Sequence, residues 1–413
     1  MLKRMRRQIA LFFTVIGPGF ITAMVDNDAG GIFTYSQAGA RFGYLSLWTL
    51  APIALLLVVT QEMNARMGAV TGKGLSDLIR EEFGLRVTFL VMTLLVFTNF
   101  TNVMANFAGV ASSLELFSVP RFVSVPIAAA LVWLLVVKGT YRSVEKVFLG
   151  ACVFYASYIV SALLIEPDWE RAISSSVQPV LMLDPAYLTL LIGMVGTSIA
   201  PWMQFYLQAA VVEKGITERE YAESRVEVIV GCVTMVVIAF FIVVACAGAI
   251  WAHGPRDIED AAHAAQALRP FGRYAFFLFS AGLLNASLFA ASILPLSTAY
   301  SVCEGLGFEA GVNKRFSEAP IFYWLYTLLI ALGAGVILIP GFPLVRMILL
   351  SQVLNGVLLP LVLILMVLLV NKRELMGHWV NTRFQNGVAW FSVIILIGLT
   401  LALLGITLRD MAA

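Results

Sequence analysis

The sequence predicts an all-α, polytopic membrane protein with about 11 transmembrane helices, of which helices 1 and 6 are broken. Of its 413 residues, 60% are hydrophobic and only 13% are charged, whereas a soluble domain carries about 25% charged residues. Apolar segments of about 20 residues, the length that crosses a bilayer, recur along the chain. Two of these segments carry acids, glycines or a proline at mid-span, where a plain lipid-facing helix does not.

Composition also argues against several other classes of protein. The net charge is only +2, and there is no basic stripe interleaved with aromatic residues, so we expect no nucleic-acid partner. The four cysteines lack ligand spacing, and the three histidines, His253, His263 and His378, fall in predicted loops. The basic, apolar start resembles a signal peptide without a cleavage site, so we interpret it as a retained first helix. We expect one transmembrane domain over residues 1–413, because the longest loops are too short to fold alone.

The predicted spans share an apolar composition and a membrane-crossing length. They are residues 9–40, 44–65, 87–114, 122–137, 147–165, 187–212, 226–252, 274–303, 320–339, 343–370 and 388–408. Most of the 27 Lys and Arg residues lie in alternate loops, on the side of the N-terminus. Because these residues favour the cytoplasmic side, we predict a multi-pass protein of the plasma (inner) membrane with a cytoplasmic N-terminus and an external C-terminus.

The first span contains charges that a kink alone does not explain. Residues 24–31 read MVDNDAGG, which places Asp26, Asn27, Asp28 and two glycines near mid-membrane. A charge at that depth costs at least about 2.5–3.5 kcal/mol. Each glycine weakens a helix by roughly 1 kcal/mol. The pattern therefore predicts a functional break in this helix.

The sixth span is interrupted at GTSIAP, residues 196–201. Pro201 has no N–H and clashes with the carbonyl of Thr197, so backbone acceptors are freed there. An ordinary proline kink is the alternative interpretation. Two broken helices at corresponding places in two halves are typical of transporters that bind an ion between them. We therefore predict inverted five-helix repeats at 1–165 and 187–370, with 388–408 as an additional helix.

Three stretches resemble the Nramp metal-ion transporters. GPGFITAMVDNDAGGIFTYSQAGARFGY, residues 17–44, is similar to that family's first helix, which reads GPGF, Asp-Pro-Gly-Asn and QAGAxFGY. GTSIAPWMQFYLQAAVVEKG, residues 196–215, is similar to its sixth helix with the pattern Ala-x-x-Met-Pro-His-Asn, and SQVLNGVLLP, residues 351–360, to its tenth. The resemblance implies the LeuT-type fold and transport of divalent metal ions.

The resemblance also implies a metal site, with departures from the usual pattern. Asp28 stands at the family's metal-binding Asp, Ala29 at its Pro, Gly31 at its Asn ligand, Thr197 at its Ala carbonyl position and Ala200 at its Met ligand. Trp202 and Gln208 replace histidines, and Leu358 a tenth-helix Gln. We predict that the metal site comprises Asp28, Ala29, Gly31, Thr197, Ala200, Asp26, Asn27 and Asn355.

These departures favour a magnesium-transporting branch of the family. A thioether is a soft ligand that selects transition metals, and Ala200 lacks one. Mg²⁺ prefers oxygen ligands and keeps several waters, which Asp26 and Asn27 are suited to bind. Asp26 has an alternative role as an Arg partner or a helix cap. We expect Mg²⁺ to be the main transported ion and Mn²⁺ to be carried also, with no cofactor.

Proton coupling is not expected, because no predicted span contains a histidine, the natural relay residue. Two charges crossing 100 mV release about 4.6 kcal/mol, at 2.3 kcal/mol each. Gln204, Trp202 and Asn102 are candidate pathway residues. Asn99, Asn102 and Asn106 share a helix face, as do Gln204 and Gln208, and Gln352 and Asn355 are neighbours; structural bonding is the alternative for each group.

Other functions fit the sequence less well. A proton-coupled Mn²⁺/Fe²⁺ transporter of the Nramp type is the nearest alternative, opposed by the missing Met and His. An amino-acid transporter would need half-helix N-termini free of fixed anions, which Asp28 opposes. An intramembrane metalloprotease would need HExxH or similar ligands, so we expect no enzymatic activity. A sensor would need an output domain. We expect divalent ions and lipid as partners, and no obligate protein partner.

Overall fold

The computed structural model describes residues 17–138, 150 and 152–412, and these residues form helices, turns and loops without any strand. Within this described part, nine helical segments are long and apolar enough to cross a membrane, and Val153–Leu164 is a shorter apolar helix. The described helices, in chain order, are α1 (Pro18–Val25), α2 (Ala29–Phe42), α3 (Leu50–Thr71), α4 (Leu75–Glu115), α5 (Arg121–Lys138), α6 (Ala156–Leu164), α7 (Trp169–Val177), α8 (Pro185–Ser198), α9 (Pro201–Glu213), α10 (Tyr221–Ala249), α11 (Ala261–Ala265), α12 (Ala275–Leu306), α13 (Pro320–Ile337), α14 (Leu344–Val370), α15 (Arg373–Met376) and α16 (Arg383–Ala412).

Both predicted breaks are confirmed. The first span is divided into α1 and α2 by residues 26–28, and the sixth into α8 and α9 by residues 199–200. Each half-helix of the first span is too short to cross a bilayer alone. The predicted fifth span, 147–165, lies partly outside the described residues, as does the start of the first. The remaining nine predicted spans each coincide with a spanning segment.

Helix α4 is longer than predicted because its first turns are polar. It begins at Leu75, well before the predicted residue 87, and passes through Gly84 at φ +78°. This left-handed conformation is readily adopted only by glycine, so Gly84 bends the helix where it leaves the apolar region. The predicted loop 166–186 also contains the short helix α7, which Asp168 caps by accepting a hydrogen bond from Arg171 N at 2.9 Å.

The broken helices lie at the centre of the bundle. Helix α4 packs against α12 and α14, whereas α1 and α2 pack against α10. Helices α8 and α14 approach closely, because a Cβ on Gly196 would overlap the carbonyl of Gln352 and one on Gly356 would overlap that of Ile192. Helix α16 lies at the periphery, because most of its described side chains are exposed or half-buried. We call the end of the bundle where α1 begins and α9 ends the N-face, and the other end the opposite face.

Candidate metal site

The two helix breaks meet in the core. A Cβ on Gly31 would lie 2.6 Å from the Asp26 carbonyl oxygen and 3.6 Å from Thr197 Oγ1. Tyr35 of α2 and Ser198 of α8 share a hydrogen bond of 2.7 Å between their hydroxyls. Asp26 and Asp28 are only 3% and 6% exposed. The structure therefore brings residues from both predicted halves of the site together, away from bulk solvent.

Asp28 is held at the start of α2 by its own backbone chemistry. Its side chain caps the helix, with Oδ1 accepting a hydrogen bond of 3.0 Å from Gly31 N. The positive end of the helix dipole favours an anion at this position. Gly31 thus serves the site through its N–H, and a side chain there would displace the Asp26 carbonyl.

Asn106 of α4 orients the second oxygen of Asp28, and it was not among the predicted site residues. Its Nδ2 donates to Asp28 Oδ2 at 2.8 Å, and its Oδ1 accepts from Ala29 N at 3.4 Å. The spacing of Asn99, Asn102 and Asn106 was the available signal. It did not reveal which of the three faces Asp28, since Asn99 instead donates to Thr298 at 2.8 Å.

Asn102, Gln352 and Asn355 form an amide cluster beside Asn106. Asn102 Nδ2 donates to Asn355 Oδ1 at 2.8 Å, and Asn102 Oδ1 accepts from Gln352 Nε2 at 3.2 Å. Asn102 also accepts from Asn355 Nδ2 at 3.1 Å. Gln352 is the member of this cluster that reaches toward Asp28. Both side chains lie beside Gly30: a Cβ added there would overlap Gln352 Nε2 and would lie 2.9 Å from Asp28 Oδ1. The sequence indicated Asn355 rather than Gln352 for this position.

Several polar atoms at the breaks lack partners among the described residues. They are Asp26 Oδ2, both side-chain polar atoms of Asn27, and Thr197 Oγ1. The Thr197 carbonyl also lacks its usual helical donor, because the residue four positions on is Pro201. Buried polar groups in native proteins are nearly always paired with protein, water or a ligand. These atoms are suited to bind an ion or its water molecules.

Other predicted site residues contribute less directly. The Ala200 carbonyl already accepts from Met203 N at 3.2 Å and from Gln204 Nε2 at 3.3 Å. Trp202 packs beside Tyr206 with ring centroids 6.3 Å apart, and its carbonyl accepts from Ser297 Oγ at 3.1 Å. Ala29 contributes its N–H to Asn106. Their assignment as metal or pathway residues stays a prediction.

The donor set consists of oxygen atoms and carries net negative charge. Neither Asp26 nor Asp28 forms an ion pair with any residue that the structure describes. Over the same residues, no three His, Cys, Asp or Glu side chains are grouped to hold a metal. An ion bound here would have carboxylate, amide, carbonyl and water ligands. Such a set suits Mg²⁺, Ca²⁺ or Mn²⁺.

Polar contacts close the opposite face above the site. Gln37 at the end of α2 accepts a hydrogen bond from Ile258 N at 2.7 Å and donates to Asp257 at 2.5 Å. Arg41 pairs with the same Asp257 carboxylate at 2.6 Å. These contacts join α2 to the segment before α11. They are partly exposed, so they are weak enough to open.

A buried ion pair closes the N-face. Arg66 and Glu62 of α3 lie 3.1 Å apart and are each 6% exposed. Arg66 also donates to the Trp379 carbonyl at 2.7 Å, and Tyr221 of α10 hydrogen-bonds to Glu62. Among the described residues, polar contacts therefore join helices at both ends of the bundle.

The fold and the paired breaks define the class: a multi-pass membrane protein with the LeuT-type architecture. A crystal structure of an Eremococcus coleocola manganese transporter, in complex with an aromatic bis-isothiourea substituted compound, matches with a TM-score of 0.75 at 21% identity, covering 93% of this chain and 85% of that one. MhsT in complex with L-phenylalanine matches with a TM-score of 0.60 at 14% identity, covering 93% and 98%. The prediction of this fold is confirmed.

Sequence comparison gives the family. The chain is 28% identical over 402 residues to the divalent metal cation transporter MntH of Granulibacter bethesdensis, covering 94% of this chain and 87% of that protein. It is 26% identical over 404 residues to MntH of Klebsiella pneumoniae, covering 96% and 94%. The family described as natural resistance-associated macrophage protein-like (Nramp) matches residues 19–405. The chain belongs to the Nramp family.

Proposed function

We propose that this protein carries divalent cations across the plasma membrane, with hydrated Mg²⁺ as its main substrate and Mn²⁺ as a second one, and without proton coupling. The observation that carries the proposal is the Asp28 carboxylate, buried at a helix break and held by Gly31 N–H and the Asn106 amide. The named relatives, which are divalent metal cation and manganese transporters, support divalent transport.

Divalent charge is favoured by the two carboxylates. Asp26 and Asp28 lie two residues apart at one break, and no described cation neutralises either of them. Uncompensated charge in a low-dielectric core is costly. A dication with its bound water neutralises both carboxylates, whereas a monovalent ion leaves one carboxylate charge uncompensated.

Preference for Mg²⁺ is supported by the absence of a soft ligand at Ala200. The methyl group of Ala200 cannot ligate, so this position gives transition metals no advantage over Mg²⁺. Asp26, Asn27 and Thr197 carry atoms without partners among the described residues. These atoms are suited to hydrogen-bond the waters that Mg²⁺ retains.

Uncoupled transport is supported by the side chains from α4 and α14 nearest to Asp28, which are amides. Asn106 and Gln352 are amides, which do not titrate. His253, His263 and His378 lie at the faces of the bundle, outside α10, α12 and α14. The membrane potential alone supplies about 2.3 kcal/mol per charge at 100 mV.

A proton-coupled Mn²⁺ transporter is the second candidate, because the Eremococcus coleocola protein of similar fold is a manganese transporter. In that case a carboxyl group of the site, Asp26 or Asp28, would carry the proton. The two candidates differ in whether proton influx accompanies metal entry.

The test is metal entry into liposomes that contain the purified protein, a trapped Mg²⁺ indicator and a trapped pH dye. We expect Mg²⁺ entry without acidification, and its loss in Asp28→Ala. The matched control is Asp184→Ala, because Asp184 also caps a helix, accepting from Ala186 N at 3.3 Å, but lies at the exposed start of α8. Entry of Mn²⁺ with proton influx, and no entry of Mg²⁺, would establish the second candidate.

A further inference from the structure

The described part of the fifth span reaches the break in the first span through a tyrosine. Tyr155 ends a 3₁₀ turn that begins at Cys152, and it is the N-cap residue of α6. Its side chain is only 1% exposed, and that of Tyr158, one helical turn further on, is 0% exposed. Helix α6 packs against α10. Both tyrosine rings therefore lie inside the bundle rather than in lipid.

Tyr155 holds the backbone of the break between α1 and α2. Its hydroxyl group donates a hydrogen bond of 2.9 Å to the carbonyl oxygen of Asn27, the central residue of the break. This carbonyl belongs to the planar peptide group that joins Asn27 to Asp28. The hydrogen bond therefore fixes the orientation of the peptide group next to the site carboxylate. Tyr155 thus acts on the site through the backbone rather than as a ligand.

The carbonyl groups of Asp26 and Asn27 have different neighbours. The Asp26 carbonyl oxygen lies 2.6 Å from the position that a Cβ on Gly31 would occupy, and Thr197 Oγ1 lies 3.6 Å from the same position. The Asp26 carbonyl is therefore on the side of α8, where Thr197 Oγ1 has no partner among the described residues. The Asn27 carbonyl is instead engaged by Tyr155. One backbone oxygen of the break lies beside atoms without partners, and the next is occupied by a protein hydroxyl group.

The Asn27 carbonyl would otherwise be a candidate ligand. Unwound backbone carbonyls at the breaks of such transporters coordinate cations. Without the Tyr155 hydroxyl group this carbonyl would be buried and unpaired, which is costly, so it would take another partner. Neither polar atom of the Asn27 side chain has a partner in the part of the chain that the structure describes, so the side chain does not restrain the peptide group. A cation at Asp28 is the partner that a turned carbonyl would meet.

We propose that Tyr155 is a positioning residue that sets the preference for Mg²⁺ over Ca²⁺ by keeping the Asn27 carbonyl out of the coordination shell. This inference rests on the proposed function. Ca²⁺ takes about 6–8 oxygen ligands, among them backbone carbonyls, whereas Mg²⁺ keeps several waters and needs few protein ligands. An additional carbonyl would therefore favour Ca²⁺ and would displace a water that Mg²⁺ retains. The Tyr155 hydroxyl group withholds that carbonyl.

Tyr158 provides a matched control. Its side chain is as deeply buried as that of Tyr155, and its ring packs edge-to-face against Phe279 of α12 with centroids 6.5 Å apart. Its hydroxyl oxygen has no partner among the described residues, so it does not hold the break. Tyr158→Phe therefore removes the same atom from the same part of the fifth span and leaves the Asn27 carbonyl bonded to Tyr155.

The test compares the binding of Mg²⁺ and of Ca²⁺ to the purified full-length protein by calorimetry. The wild type and Tyr158→Phe should bind Mg²⁺ more tightly than Ca²⁺. In Tyr155→Phe, the ratio of the two dissociation constants should shift toward Ca²⁺ by about tenfold, or 1.4 kcal/mol. Because this change removes a single oxygen atom and keeps the ring, we expect a folded protein, which a cooperative thermal transition would confirm.

The ratio of the two constants separates positioning from packing. A merely structural role for Tyr155 would weaken the binding of both ions equally and leave the ratio unchanged, which would overturn the inference. A wild type that prefers Ca²⁺, or an equal shift in Tyr158→Phe, would overturn it as well. Failure of the wild-type protein to bind either Mg²⁺ or Mn²⁺ would instead overturn the proposed function.

Discussion

Asn106 Nδ2 lies 2.8 Å from Asp28 Oδ2, and the same side chain accepts a hydrogen bond from the N–H of Ala29, the residue next to Asp28. One amide on α4 therefore fixes both the carboxylate and the backbone of the break between α1 and α2. An acid at position 106 would repel Asp28 or share a proton with it, whereas the amide leaves Asp28 free to be an anion.

Removing this amide should weaken ion binding without unfolding the protein. Asn106→Leu eliminates a hydrogen bond to a charged group, which contributes about 1.5–3 kcal/mol. We expect the dissociation constant for Mn²⁺ or Mg²⁺, measured by calorimetry, to increase by at least about tenfold. Asn99→Leu is the control, because Asn99 is equally buried on α4 but donates to Thr298. Equal losses in the two variants would show that Asn106 has only a packing role.

Introducing a thioether at the sixth-helix break should change ion selectivity. Ala200 is 1% exposed and is the N-cap residue of α9. Ala200→Met adds a soft ligand, so we expect the preference for Cd²⁺ over Mg²⁺ to increase by about tenfold, or 1.4 kcal/mol. Competition between the two ions for uptake measures this ratio. Ala210→Met, on the same half-helix near the N-face, should leave the ratio unchanged; a parallel change in both variants would contradict a ligand position at 200.

Breaking the N-face ion pair should destabilise the closed conformation. Glu62→Gln leaves the Arg66 guanidinium, which is 6% exposed, without its carboxylate partner. Loss of one member of a buried pair costs about 3–5 kcal/mol. We expect a lower Tm in detergent and faster labelling of a cysteine placed at the N-face. Glu223→Gln changes an exposed acid of α10 and should alter neither quantity; an unchanged Tm in Glu62→Gln would argue against the closing role.

The contact between α8 and α14 requires glycine at position 196. A Cβ there would overlap the Gln352 carbonyl oxygen and lie 2.9 Å from Gly356 Cα. Because overpacking costs about 1–3 kcal/mol, Gly196→Ala should lower the Tm and impair transport. Gly335→Ala, in α13 with no atom within 4 Å of the added carbon, should be neutral or stabilising by up to about 1 kcal/mol. Similar Tm values for the two variants would contradict the close approach.

The sequence was sufficient to predict the helical membrane fold and the two breaks. Charges at Asp26 and Asp28 and a proline at 201 are local violations of helix chemistry, so they are visible without tertiary information. The residues that hydrogen-bond to the site acids were harder to predict from the sequence. Asn99, Asn102 and Asn106 share one helical face, and only the rotation and depth of α4 decide that Asn106 reaches Asp28.

Steric and hydrogen-bonded relationships between distant segments could not be predicted. Gln352 Nε2 lies close to Gly30, and Gly196 and Gly356 stand where α8 and α14 approach closely. The hydrogen bond of 3.3 Å from Gln204 Nε2 to the Ala200 carbonyl was likewise not visible in the sequence. The inverted repeats at 1–165 and 187–370 and the orientation of the termini stay predictions.

The central claim is that a dication crosses through the Asp28 site under the membrane potential alone. The most direct test is the steady-state Mg²⁺ accumulation in liposomes clamped at about 60 mV, inside negative, with and without a pH gradient. An uncoupled dication should accumulate about 100-fold, because two charges at 60 mV correspond to about 2.7 kcal/mol. This ratio should not change with the pH gradient, and it should be absent in Asp28→Ala. An accumulation ratio that follows the imposed pH gradient would contradict the claim.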